Sequence, residues 1–343
     1  MRYIRKLPDV EELQKEYSLT ESEKSERLEC IYQIRNILSG SDKRKILIIG
    51  PCSADREDAV LDYVCRLRKI SDKVKDRIYI IPRIYTSKPR TTGEGYKGLV
   101  HNPYGDEEEN LLKGIIAARK LHLDVIRESK MFAADEMLYP DEIYYIYDLL
   151  CYMVVGARSV EDQGHRMIAS DDSIPVGMKN PTGGSKIVLV NSIKAAQKKY
   201  RLVYRGWEVE TAGNAYAHGI LRGFSNKSGK NYPNYHYEDL EEFCNMCTEA
   251  AVKNPSVIVD CSHANSNKNF LQQSRIASQI VGSCLSDEKI NSFVKGLMIE
   301  SYIEDGCQAP GGGIYGMSIT DPCLGWDRTE ELINRLYDTA FGS

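Results

Sequence analysis

No stretch of this 343-residue chain approaches the roughly 18 consecutive apolar residues of a membrane-spanning helix. Its opening residues, MRYIRKLP, are basic but have no apolar run behind them, so a secretory signal is not expected. The phosphate loop G-x-x-x-x-G-K-[ST] is missing, which removes the simplest nucleoside-triphosphate reading. Charge of one sign is not in excess either. The net charge of −4 gives no basic field for general nucleic-acid binding. Internal repeats, low-complexity tracts and an obvious linker are also lacking.

What is present is globular arithmetic, with 42% hydrophobic and 27% charged residues, too apolar for disorder and too charged for a membrane protein. The length suits two average domains or one α/β barrel. Ten cysteines are scattered through the chain, which reads as reduced thiols in a cytoplasmic protein rather than a disulfide framework. One C-x-x-C pair, Cys244 and Cys247, shares a helical stripe with Leu240, Phe243 and Ala251. With no second pair to complete a zinc site, it reads as core packing.

Residues 1–44 are charged, with weak helical periodicity, and form an N-terminal extension. Leu7, Val10, Leu13 and Tyr17 make a partial stripe there, suited to an oligomer contact. From Lys45 the rhythm changes. Short apolar runs at 46–50, 78–84, 133–137, 153–157, 175–178, 219–222, 256–260 and 295–300 alternate with amphipathic helical patterns. Buried strands alternating with helices predict a parallel sheet, and eight strands close a (β/α)8 TIM barrel over residues 45–343. A doubly wound open sheet is the competing architecture. Residues 201–213 read as a small hairpin inserted before the sixth strand.

Each predicted strand runs into a polar residue at its carboxyl end: Cys52, Arg83, Glu136, Arg158, Lys179, Arg222, His263 and Glu300. In a barrel these ends share one face, where active sites lie. Any one of them is equally well a loop cap, but the set favours a site. The set also sorts by chemistry. Arg83, Arg158, Lys179 and Arg222 are cationic, and Lys88, Arg90 and Lys97 follow the second strand with one acid, Glu94, among them. An acidic protein that gathers cations on one face is suited to small anions, because arginine forks match carboxylate and phosphate oxygens. Cys52, His263, Glu300 and, just beyond, Asp321 are metal-ligand types. Their mix of soft and hard donors suits Zn, Fe, Co or Mn better than Ca or Mg. The Asp260 to His263 segment is too local to line up as a Ser/His/Asp triad.

The segments GPCS (50–53), KPRTT (88–92), GAR (156–158), PVGMKN (175–180), ILRG (220–223), DCSHANS (260–266), ES (300–301) and SITDPCLGW (318–326) stand in one order. By these the chain resembles the class I 3-deoxy-D-arabino-heptulosonate 7-phosphate (DAHP) synthases, from about residue 30 onward. The resemblance implies a metal-dependent (β/α)8 barrel that condenses phosphoenolpyruvate with erythrose 4-phosphate, the first step of the shikimate pathway. It implies one divalent metal ion held by Cys52, His263, Glu300 and Asp321. It places Arg83, Lys97, Arg158, Lys179 and Arg222 on phosphoenolpyruvate, and Lys88, Pro89, Arg90 and Thr91 on the aldose phosphate. Lys88 is then the proton donor to the developing alkoxide, and Glu136 orients the attacking water.

This sequence departs from the family pattern in two places. The loop between Thr92 and Lys97 is one residue longer, and the hairpin and N-terminal extension are shorter than in feedback-inhibited members. A homodimer or homotetramer is implied, with no nucleic acid and no membrane as partner. The nearest rival is octulosonate phosphate synthase, on the same barrel with a five-carbon sugar phosphate, and the tight KPRT turn argues against it. A catalytically dead barrel kept as an amino-acid sensor would have lost a ligand or an arginine, and none is lost.

Overall fold

The structure is a computed structural model and describes residues 1–90, 92–103, 108–339 and 341. Eight parallel strands form the central sheet: β1 (Lys45–Gly50), β2 (Ile78–Pro82), β3 (Ala134–Met137), β4 (Tyr152–Val155), β5 (Val176–Lys179), β6 (His218–Leu221), β7 (Val257–Asp260) and β8 (Val294–Glu300). Each is buried along nearly its whole length, which is why they read as continuous apolar runs rather than alternating ones. Their order is β2-β1-β8-β7-β6-β5-β4-β3. A parallel bridge between Arg83 and Ala134 joins the two outer strands, and the Ile84 amide donates to the Ala134 carbonyl at 3.0 Å. The sheet therefore closes as a barrel, and the open doubly wound alternative is excluded.

Amphipathic helices return the chain between strands and pack outside. The helix Glu57–Val74 buries Val60, Tyr63, Val64, Leu67 and Ile70, the stripe its 3.6-residue period predicts. Two helices precede the barrel: α1 (Val10–Glu16) and α2 (Glu21–Ser39). A capping box of Thr20 and Glu23 starts α2, and Gly40 ends it in the left-handed conformation (φ 85°). The hairpin before β6 pairs Arg201–Tyr204 with Trp207–Glu210, as its alternation predicts. A second, two-residue hairpin, Phe224–Ser225 with Asn231–Tyr232, follows β6 and has no sequence signal strong enough to announce it. The C-x-x-C thiols lie buried in the helix Tyr237–Glu249, and burial pushes the Cys247 thiol up to about 12. They behave as core residues.

Candidate active site

Parallel closure puts every strand's carboxyl end on one rim, and the strand-end residues converge there. A cleft of about 160 Å3 is lined by Arg83, Lys88, Arg90, Arg158, Lys179, Arg222 and Lys268, with Glu136 and Asp321 as its acids. Pro89 and His263 also line it. Seven cations against two carboxylates form a preorganised anion site inside a protein that is acidic overall.

Several of these groups are held rigidly. The Arg83 guanidinium is fully buried, 3.1 Å from Glu300 and stacked 3.7 Å over the Tyr85 ring. Lys179 is 3.1 Å from Glu136. Burial pushes the Glu136 carboxyl up, but the Lys179 ammonium, with Arg83 and Lys88 behind it, outweighs burial and leaves it below its usual value. Gly156 is required beside this pair, because a Cβ there would meet Glu136 Oε1 at 2.9 Å. Asn180 accepts from the Arg222 amide at 2.9 Å and donates to the Gly223 carbonyl at 2.9 Å, fixing the turn that aims Arg222 inward.

At one end of the cleft the metal-ligand types gather. Ligand atoms of Cys52, Glu300 and Asp321 all lie within 4.8 Å of one another, from the β1 end, the β8 end and the loop beyond. His263 stands beside them with Nε2 3.7 Å from Glu300 Oε1, and its Nδ1 is 2.8 Å from Asp260. A carboxylate holding one imidazole nitrogen while the other faces a cluster of acids is the arrangement that metal-binding histidines need.

The donor set fits a borderline divalent ion. Burial, with Glu300 beside it, pushes the Cys52 thiol up to about 11, and two carboxylates share its pocket, so the corner calls for positive charge. Lys88 supplies some of that charge. Its ammonium touches Cys52 Sγ and lies 3.5 Å from Asp321, and despite burial the Cys52 and Glu300 charges hold its pKa above the usual value. Lys268 is 3.0 Å from Asp321.

One predicted site residue stands apart. Lys97 is not in the cleft wall; its ammonium pairs with Glu109. Thr91 lies outside the described residues. Tyr85, Asn180 and Lys268 were not singled out from the sequence. Lys268 lies two residues beyond the DCSHANS run, the one local signal that would have found it, and its amide closes a turn on the His263 carbonyl at 2.8 Å.

The family profile described as the DAHP synthetase I family matches residues 17–334. The chain belongs to this family. It is 36% identical over 339 residues to the Tyr-sensitive phospho-2-dehydro-3-deoxyheptonate aldolase of Escherichia coli (strain K12), covering 96% of this chain and 90% of the relative. To the Phe-sensitive aldolase of the same strain it is 37% identical over 340 residues, covering 96% and 93%. A solved phospho-2-dehydro-3-deoxyheptonate aldolase from Francisella tularensis SCHU S4 superposes with a TM-score of 0.91 at 30% identity, over 99% of this chain and 98% of that one. The sequence-based family resemblance and the barrel are both confirmed.

Proposed function

We propose that the chain condenses phosphoenolpyruvate with D-erythrose 4-phosphate to give DAHP and phosphate, as a metal-dependent 3-deoxy-7-phosphoheptulonate synthase. The observation that carries this reading is one cleft that joins a seven-cation wall to a thiol, imidazole and carboxylate corner.

Arg83, Arg158, Lys179 and Arg222 bind the carboxylate and phosphate of phosphoenolpyruvate through charge-assisted forks. Arg90 and Pro89 shape the end that takes the aldose phosphate; the Arg90 side chain is fixed by donating to the Tyr96 carbonyl at 2.7 Å. The cluster offsets the mutual repulsion of two phosphates and a carboxylate. Cys52, His263, Glu300 and Asp321 would hold a divalent ion (Mn, Fe, Co or Zn), which when bound would supply Lewis acidity towards the aldehyde oxygen. The methylene carbon of phosphoenolpyruvate bonds to the aldehyde carbon, and Lys88, already at that corner, donates a proton to the developing alkoxide. Glu136 orients the water that adds to the enol carbon before phosphate leaves.

We further propose a homodimer or homotetramer with residues 1–44 at its contact and residues 45–343 as the catalytic unit. Among the described residues no helix is long and apolar enough to cross a membrane. All ten cysteines are free, which suits a cytoplasmic compartment.

The test is the loss of phosphoenolpyruvate absorbance on adding erythrose 4-phosphate, with and without chelator. Consumption that stops on chelation and returns with one of these ions is expected. Turnover only with a five-carbon aldose phosphate, or no metal requirement, overturns the reading.

A further inference from the structure

Lys97 is displaced from the anion site, and its backbone shows how little displacement is involved. The Lys97 carbonyl accepts from the Lys88 amide at 2.8 Å, and the Lys97 amide donates to Asn102 Oδ1 at 3.3 Å. Gly98 presses the segment inward, since a Cβ there would meet the Thr86 carbonyl at 2.4 Å. The main chain is thus anchored beside Lys88, at the cleft edge. Only the half-buried side chain is turned away, towards Glu109.

Glu109 has a second partner. His101 Nδ1 lies 3.3 Å from its other oxygen, while His101 Nε2 lies 3.0 Å from Glu142 Oε1. Glu142 in turn accepts from Ser87 Oγ at 3.1 Å, next to Lys88. The groups facing the imidazole are Glu109 from its own loop and, from the segment after β3, Glu142 and the Tyr139 ring at 5.9 Å. Lys97 reaches it through Glu109. Both ring nitrogens face carboxylates: Nδ1 hydrogen-bonds Glu109, while Nε2 is buried close to Glu142 without a hydrogen bond, and only the imidazolium brings a charge that compensates both acids.

With His101 charged, two cations balance two carboxylates. If Lys97 then leaves, His101 still compensates Glu109. With His101 neutral, Lys97 is the only cation of the four groups, and departure strands two facing carboxylates. Glu142, more than Glu109, raises the imidazole above its ordinary value near 6.5, so the charged form persists towards neutral pH.

We infer that His101 is a positioning residue for the anion site: by sharing Glu109 it loosens that carboxylate's hold on Lys97 and lets the ammonium turn to phosphoenolpyruvate. This rests on the function proposed above and adds a role for residues that do not touch substrate.

Steady-state kinetics in phosphoenolpyruvate, run from pH 6 to 9 on the metal-loaded enzyme, tests it. His101→Gln should raise KM about three- to fivefold, the scale of one partly exposed ion pair, with kcat and the thermal midpoint little changed. Adding Glu109→Gln to that variant should restore KM. His101→Lys, permanently charged, should keep the wild-type KM and lose the rise that wild type shows, relative to Glu109→Gln, as pH passes the imidazole's titration.

An unchanged KM in His101→Gln, or a double variant as impaired as the single, overturns the inference. Lys97→Ala separates the two levels. If it raises KM while His101→Gln does not, the His101 role alone fails. If Lys97→Ala leaves KM unchanged, the placement of Lys97 on phosphoenolpyruvate fails with it.

Discussion

Cys52 combines features that no local motif encodes. It is fully buried, touches the Lys88 ammonium, and shares its pocket with two acids that lie far along the chain. Cys52→Ser replaces a potential thiolate with a hydroxyl that is a poor ligand at neutral pH. The variant should bind metal far more weakly and lose turnover; wild-type metal content after dialysis would remove Cys52 from the ligand set.

Arg222 and Arg158 test the opposite wall. Either residue changed to alanine should raise KM for phosphoenolpyruvate strongly while the fold survives, because losing a charge-assisted contact to a dianion costs on the order of 2–3 kcal/mol. Affinity within twofold of wild type would refute the anion site. The residue types at strand ends made this wall legible in the sequence. The direction each side chain takes was not legible, and Lys97 is the case in point: its ammonium pairs with Glu109, an acid twelve residues on that carries no motif. Conversely, residues 93–98 spell GEGYKG, the spacing of a dinucleotide loop, yet among the described residues no α-helix starts after them until Leu111. The spacing alone carries no function here.

At the scale of elements, strands were readable because burial on both faces demands unbroken apolar runs, and β1 and β8 begin and end within a residue of their predicted limits. The extension was less readable. Its helix α1 is short, and isolated helices of that length are marginal. Beside its buried Val10 and Leu13, it is held by Arg119, fully buried on the helix Leu111–Ser129. Its guanidinium donates to the Tyr17 carbonyl at 2.6 and 2.9 Å, to the Tyr145 carbonyl at 2.8 Å, and to Asp148 at 2.7 and 2.9 Å. An arginine in an amphipathic helix normally reads as a solvated residue, so nothing in the pattern announced this staple. Arg119→Met strands those acceptors and should destabilise the protein by about 3–5 kcal/mol. Amide exchange should accelerate first in residues 10–17. Unchanged protection there would show that α1 is held by its apolar contacts and its Gln14 and Glu11 pairs without Arg119.

For the whole molecule the open question is regulation. The relatives' names include Tyr-sensitive and Phe-sensitive forms. In this chain the hairpin leaves Val203 and Trp207 exposed, and it meets α1 through Arg205 with Glu11 and the helix Pro140–Ile143 region through Tyr204 packed edge-on to Tyr144. Enclosing an aromatic side chain contributes only roughly 1.5–3 kcal/mol, and inhibition further requires that the effector favour one state. Weak or absent inhibition by phenylalanine, tyrosine or tryptophan is therefore expected in a titration to millimolar levels. Micromolar inhibition by any of them would show that the hairpin and the extension build a pocket.

The sequence by itself determined the barrel and the chemical kinds of residue on its rim. Period and apolar run length are local properties, and eight parallel strands leave few ways to close. Tertiary structure decided which of those residues meet. Cys52, Glu300 and Asp321 become neighbours only because β1 pairs with β8 in a register that sets Gly50 beside Glu300. Glu109 captures Lys97, and Arg119 finds the extension, through contacts between segments that share no period. Such pairings depend on side-chain direction and on which charge is nearest once water is excluded, and neither quantity exists until the chain has folded.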